Sequence, residues 1–191
     1  MEPFVLTCCS TADMPAQYFE EKKIPFVCFN FLMDGVQYPD DLGKSMPFKE
    51  FYKKIADGAE PTTAQVNTQQ YMELFEPILQ KGLDILHLTL SSGISGSINS
   101  ANIAKVQMEE KYPGRKVRII DSLSASSGYG MLVDMALTKQ QEGLSLEENA
   151  SWLEENRNKL HHWFFSTDLT SFIRGGRISK VSGFVGQALN I

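Results

Sequence analysis

Short apolar runs alternate along the chain with longer stretches in which apolar residues recur every three or four positions. Phe4 to Cys8, Phe26 to Leu32, Asp84 to Leu90 and Val117 to Ile120 have the length and composition of strands. Val36 to Tyr38, after the Asp34-Gly35 turn, is a further short extended piece. Helical spacing covers Pro15 to Lys23, with Asp13 as the expected N-cap. It also covers Pro47 to Ala56, where Phe48, Phe51, Tyr52 and Ile55 share one face, and Thr68 to Lys81, with a stripe of Tyr71, Leu74, Phe75 and Ile78. Ser97 to Lys111 and Ser126 to Gln141 follow, the latter stopped by Gly143. Ser145 to Leu160 opens on the capping box Ser145-Leu146-Glu147-Glu148. Gly58 to Gln65 reads as a loop.

Strands separated by whole helices imply right-handed crossovers, hence an α/β fold: a mainly parallel sheet flanked by helices, occupying residues 1–160. In such sheets ligands sit beyond the carboxyl ends of the strands. Ser10-Thr11, Ser91 to Ser97 and Asp121 to Ser124 all follow strands, so three hydroxyl-rich turns are expected along one edge. The pattern changes after Leu160. His162 to Thr167 reads as a new strand, Leu169 to Arg174 as a short turn or helix, and Val181 to Ile191 as an apolar helix-like piece. Residues 161–191 are thus expected to be the start of a second, α+β domain.

Composition narrows the function classes. A 42% hydrophobic content supplies an ordinary globular core, and a formal charge of -5 with scattered Lys and Arg argues against a nucleic-acid or anionic-membrane surface. No apolar run approaches the roughly 20 residues of a membrane span, and Met1 to Leu6 has no signal-peptide pattern, so a cytoplasmic location is expected. Cys8, Cys9 and Cys28 lack metal-ligand spacing and are expected as buried reduced thiols; no metal and no cofactor are implied. His87 alternates with Leu86 and Leu88 and fits a core position.

The stretch from Leu86, LHLTLSSGISGSINS, carries the candidate chemistry. An apolar strand runs into Ser91, Ser92, Gly93, Ser95, Gly96 and Ser97, and a helix begins at once. The unpaired amides and positive dipole end of that helix form a place for an anion, and the glycines permit close approach. No Lys-Ser or Lys-Thr follows the last glycine, so the turn is not a triphosphate loop. Gly93 to Ser97 also fails the Gly-x-Ser-x-Gly pattern of a nucleophile elbow. Simple helix capping by these serines is the competing reading. A second hydroxyl-bearing loop, Pro61-Thr62-Thr63-Ala64-Gln65, precedes another helix.

In this order, Ser10-Thr11-Ala12-Asp13-Met14-Pro15, Pro61 to Gln65, Leu90 to Ser97, Asp121-Ser122-Leu123-Ser124-Ala125 and Gly175-Gly176-Arg177-Ile178-Ser179 closely resemble the DegV family of bacterial fatty-acid-binding proteins. The resemblance implies that an amino-terminal α/β domain holds a long-chain fatty acid by its carboxylate, with the tail in an apolar tunnel toward a second domain. Carried onto this chain, it assigns the carboxylate to Thr63 and Thr62, to hydroxyl and amide groups of Ser92, Ser95 and Gly96, and to Arg177. Phe26, Phe29, Phe31, Ile94, Ile98 and Phe172 are the candidate tail contacts. The resemblance further implies a carrier rather than an enzyme, presenting the carboxylate to a dihydroxyacetone-kinase-like partner that makes an acyl phosphate from ATP. The alternative is an enzyme acting on a small anionic substrate, with Ser95 as nucleophile, although no general base is tied to Ser95 by sequence. Two departures stand out. Cys8-Cys9-Ser10-Thr11 replaces the family's Thr-Asp-Ser-Thr, which removes the Asp, and family members continue well beyond the position of Ile191, so most of the second domain is expected to be absent.

Overall fold

The computed structural model describes residues 3–166 and 169–179. The chain divides into two compact units, Met1–His161 and His162–Ile191.

The first unit is built on a four-stranded parallel sheet. Its strands are β1 (Phe4–Cys9), β2 (Phe26–Val27), β6 (Asp84–Thr89) and β7 (Val117–Asp121), in the spatial order β2-β1-β6-β7. The helices are α1 (Ala16–Lys22), α2 (Phe48–Ala56), α3 (Thr68–Leu79), α4 (Ser97–Lys111), α5 (Ser126–Gln141) and α6 (Leu146–Asn156). The expected α/β class is therefore correct. β6 is buried along its whole length, as a central strand covered on both faces must be, and Ile85, Leu86 and Leu88 are fully enclosed. Each such side chain contributes about 1.5–3 kcal/mol on leaving water. α3 packs on α4 and α5 on α6, which brings Tyr71, Phe75, Met108, Tyr129, Leu132 and Leu153 into one core.

Local chemistry accounts for the helix boundaries. Asn67 and Gln70 form a reciprocal capping box at the start of α3, and Ser145 and Glu148 form the one foreseen for α6. Gly143, at φ +94°, makes the left-handed turn after α5. Asp13 is not the cap of α1. Pro15 holds that position, while Asp13 sits in the left-handed region at φ 53° with its carboxylate against Ser126. At Gly130 a Cβ would stand 2.5 Å from the Ala12 carbonyl oxygen, so only glycine lets α5 lie this close to the helical turn Ser10–Ala12 that follows β1.

Three further expectations need correction. Phe26 to Leu32 is not one strand. It splits at Cys28 and Phe29 into β2, parallel to β1, and β3 (Asn30–Met33), which joins β4 (Val36–Pro39) and β5 (Thr62–Ala64) in a separate antiparallel sheet. A continuous apolar run conceals such a change of partner, because each half satisfies its backbone with different neighbours. The supposed loop Gly58 to Gln65 contains β5, which pairs Thr62 with Leu32 and Thr63 with Phe31. Its two threonines are β-branched and suit an edge strand. Finally, residues 162–166 form no strand. Trp163, Phe164 and Phe165 are exposed, and an extended aromatic run becomes a strand only where a partner strand accepts its hydrogen bonds.

In the second unit, α7 (Thr170–Arg174) matches the short helix expected there. The helix-like piece Val181 to Ile191 lies outside the described residues.

Candidate functional site

β1 connects to β2 on one side of the sheet and β6 to β7 on the other, so the two middle strands flank the topological switch point where α/β folds leave a crevice. The turns after β6 and β7 are laced together at that edge. Ser91 donates its amide to the Ser124 carbonyl at 3.1 Å, and Ser122 donates to the Thr89 carbonyl at 3.2 Å. Asp121 Oδ1 accepts from the amides of both Ser92 (3.1 Å) and Leu123 (3.0 Å). Leu123 and Ser126 both hold positive φ, of 51° and 48°, which L-residues seldom adopt outside a constrained turn.

Within the Ser91–Ser97 turn the hydroxyls divide their labour. The Ser91 carbonyl accepts from Ile94 (3.2 Å) and Ser95 (3.1 Å), and Ser91 Oγ accepts from Gly93 (3.2 Å). Ser95 Oγ, one residue before the N-cap, accepts the Ser97 amide at 3.2 Å and keeps its own proton to donate. The Gly96 amide, at the N-cap of α4, has no protein acceptor among the described residues. Ser92 is exposed, and its hydroxyl is free of the amide contact to Asp121. The arrangement offers an outward hydroxyl from Ser92, a donor from Ser95 and an open amide on a helix of 15 residues, a set suited to a carboxylate.

The residue that follows the threonine strand reaches this turn, and the sequence did not single it out. A Cβ on Gly96 would stand 2.9 Å from Gln65 Oε1, so the Gln65 side chain lies directly over the glycine. Proximity of this kind has no periodic signature in sequence. Strand alternation also separates the two threonines: Thr63 shares a face with Phe31, and Thr62 shares the opposite one with Leu32. The same edge buries the Thr11 and Ser124 hydroxyl oxygens with no protein partner among the described residues, which is unusual for buried polar atoms.

The aromatic candidates are spread more widely. Phe29 belongs to the core, its amide donating to Ser10 Oγ at 3.1 Å, and Phe26 packs on Phe19 with ring centroids 4.7 Å apart. Phe31 lies between Tyr38 and Phe51, at 5.4 and 5.1 Å. Ile94 is exposed beside the hydroxyl turn, and Ile98 is half-buried in the first turn of α4. Phe172 and Arg177 lie in the second unit, where both are exposed and the Arg177 guanidinium donates to the Gly175 carbonyl.

The residue at the place of the family's Asp is no part of the edge. Cys9 is fully buried, with its sulfur 3.5 Å from the Tyr71 hydroxyl and 3.8 Å from His87 Nε2. Burial pushes the Cys9 thiol up and holds the His87 imidazole down at about 3, so both are neutral. His87 Nδ1 lies 2.8 Å from Thr7 Oγ1, and the rings of Tyr71 and Phe75 meet it edge-on. Among the described residues no His, Cys, Asp and Glu cluster could hold a metal ion, and no helix is long and apolar enough to cross a membrane.

Fold and edge together define a parallel α/β protein with an anion-suited helix start at its switch point. The family model described as "Uncharacterised protein, DegV family" matches residues 6–191, and the chain belongs to the DegV family. A DegV domain-containing protein of Clostridium perfringens is 37% identical over 191 residues, 100% of this chain and 66% of that protein. A DegV family protein of Thermus thermophilus, described for its fatty-acid binding, superposes with a TM-score of 0.83 at 30% identity, covering 98% of this chain and 65% of that one. A stearic-acid-binding protein of Eubacterium ventriosum gives 0.73 at 27% identity, covering 79% and 52%. The chain thus spans about two thirds of the length of the curated relatives it matches.

Proposed function

We infer that this chain binds the carboxylate of a long-chain fatty acid at the start of α4. The observation that carries this reading is the Ser95-Gly96 step, where a hydroxyl with a free proton and an open amide stand at a helix N-terminus covered by Gln65, the residue that follows the threonine strand. Ser92 and Thr63 complete the donor set. Gln65, two residues beyond Thr63, supports Thr63 over Thr62 as the strand's contact. Ile94 and Ile98 flank the head group and begin the tail path; Phe26 and Phe29 act through the core that backs the edge. Burial of the tail at about 0.8 kcal/mol per methylene provides most of the affinity, and the head-group donors set the orientation. The fatty-acid binding of the Thermus and Eubacterium proteins supports the same ligand class.

The role that fits is a carrier. Among the described residues Ser95 has no histidine as a hydrogen-bond partner, and His87 is sealed in the core and bonded to Thr7. A carrier that presents a carboxylate to an ATP-dependent, dihydroxyacetone-kinase-like partner needs no base of its own. Protein purified from an expression host should yield stoichiometric fatty acid in an organic extract, read by mass spectrometry, and should support acyl phosphate formation from ATP only with a kinase partner. Absence of lipid from protein refolded with excess oleate would sink the binding reading. Turnover without a partner would favour the enzyme.

A further inference from the structure

The two middle strands part company at the ligand edge, and one side chain stands where they do so. β1 and β6 pair in register from Phe4 beside Asp84 to Thr7 beside His87, and the Asp84 amide donates to the Pro3 carbonyl at 3.3 Å. Parallel ladders place their bonds on alternate residues of each strand. Counting onward from Pro3 through Val5 and Thr7, the next bond due is from the Cys9 amide to the Leu88 carbonyl. The Tyr129 hydroxyl is inserted into it instead, accepting from the Cys9 amide at 2.9 Å and donating to the Leu88 carbonyl at 2.6 Å. One oxygen atom thus satisfies both backbone groups while keeping the strands apart. At the same level the other side of β1 pairs with β2, with the Cys8 amide donating to the Pro25 carbonyl at 3.3 Å.

The wedge is rigidly held. Tyr129 is fully buried on α5, and the next residue, Gly130, is pressed against the Ala12 carbonyl. Its hydroxyl lies between the strand ends that lead into Ser10 on one side and into Ser91 on the other, at the switch point itself.

We propose that Tyr129 is a positioning residue whose hydroxyl splits the β1–β6 ladder and so sets the width of the crevice between the Ser10–Ala12 and Ser91–Ser95 turns. The ligand in this proposal rests on the fatty-acid reading above; the mechanism rests on the ladder alone. Removing the hydroxyl either lets Cys9 and Leu88 bond directly, which narrows the crevice, or leaves both groups unpaired.

The test compares Tyr129→Phe with Tyr71→Phe, a second buried phenol whose hydroxyl meets the Cys9 thiol rather than strand backbone. Two readouts are taken on the whole chain: the Cys9 amide, by nitrogen-15 NMR shift and hydrogen exchange, and the affinity for oleate. In Y129F the Cys9 amide shift moves and oleate binds about tenfold more weakly, the equivalent of one well-placed hydrogen bond, whereas Y71F stays within about twofold of wild type. Unchanged oleate affinity in Y129F despite a moved Cys9 amide overturns the proposal, as does an equal loss in Y71F. An unchanged Cys9 amide in Y129F removes the wedge even if the wild-type chain binds no oleate, a result that by itself refutes only the fatty-acid reading.

Discussion

Adding a single methyl group at Gly96 separates a ligand site from a helix cap. Gly96 has φ -81° and ψ 6°, so alanine meets no left-handed strain. Its Cβ would, however, stand 2.9 Å from Gln65 Oε1 and 3.8 Å from Gln65 Cδ and Nε2. The neighbour is the far end of a flexible, exposed side chain and can swing aside at little cost. Alanine is a poorer N-cap than glycine, but it also loses less chain entropy on folding, and the two effects of about 0.5–1 kcal/mol oppose each other. The net change in stability should therefore lie within about 1 kcal/mol, a few degrees in Tm for a domain of this size. Binding should respond far more. The methyl intrudes where a carboxylate must approach the Gly96 amide and displaces Gln65, and losing one charge-assisted hydrogen bond at roughly 1.5–3 kcal/mol corresponds to about 10- to 150-fold in Kd. Calorimetric titration with palmitate, alongside thermal melts of Gly96→Ala and Gln65→Ala, provides the measurement. Unchanged affinity in G96A would place the anion elsewhere. A collapse of Tm in G96A would show that the Gln65 contact is architectural.

Three further outcomes are expected. Thr63→Ala combined with Ser95→Ala should weaken fatty-acid binding about tenfold or more, while loss of the Ser95 Oγ contact to the Ser97 amide costs only about 0.5–2 kcal/mol; a falling Tm with intact binding would restore the capping reading. Asp121→Ala should free the Ser92 and Leu123 amides and destabilise the fold by about 1–3 kcal/mol, measured by urea unfolding, with no effect pointing to an edge held by other contacts. His87, held at about 3 in the fold against 6.5 in an unfolded chain, should cost stability as pH falls, because between those values only the unfolded state takes up the proton. Between pH 7.5 and 5 the loss is about 2 kcal/mol, and it should disappear in His87→Gln. The half-buried carboxyls of Asp13 and Asp40 are raised and act in the opposite sense, so the comparison between variants isolates the imidazole.

Much of this was legible in the order of residues. Periodicity identified α3, because an amphipathic helix writes its buried face, here Tyr71, Phe75 and Ile78, into the chain at every third or fourth position. Ser145-Leu146-Glu147-Glu148 announced its own capping box, since the partners are three residues apart and need nothing from elsewhere. Serines and glycines at Ser91 to Ser97 marked a hydroxyl-rich turn between a strand and a helix for the same local reason. The long-range pairings were another matter. That Phe26 to Leu32 serves two sheets, that Thr62 and Thr63 face opposite ways on an edge strand, and that Gln65 covers Gly96 all depend on which distant segment supplies the partner. Tyr129 reads in sequence as one apolar position of a helix, and only the fold carries its hydroxyl 120 residues back along the chain to the Cys9 amide. Local hydrogen bonds and side-chain spacing are encoded residue by residue. The width and lining of a crevice are decided by backbone groups that must find partners across the sheet, and those partners are chosen only when the core closes.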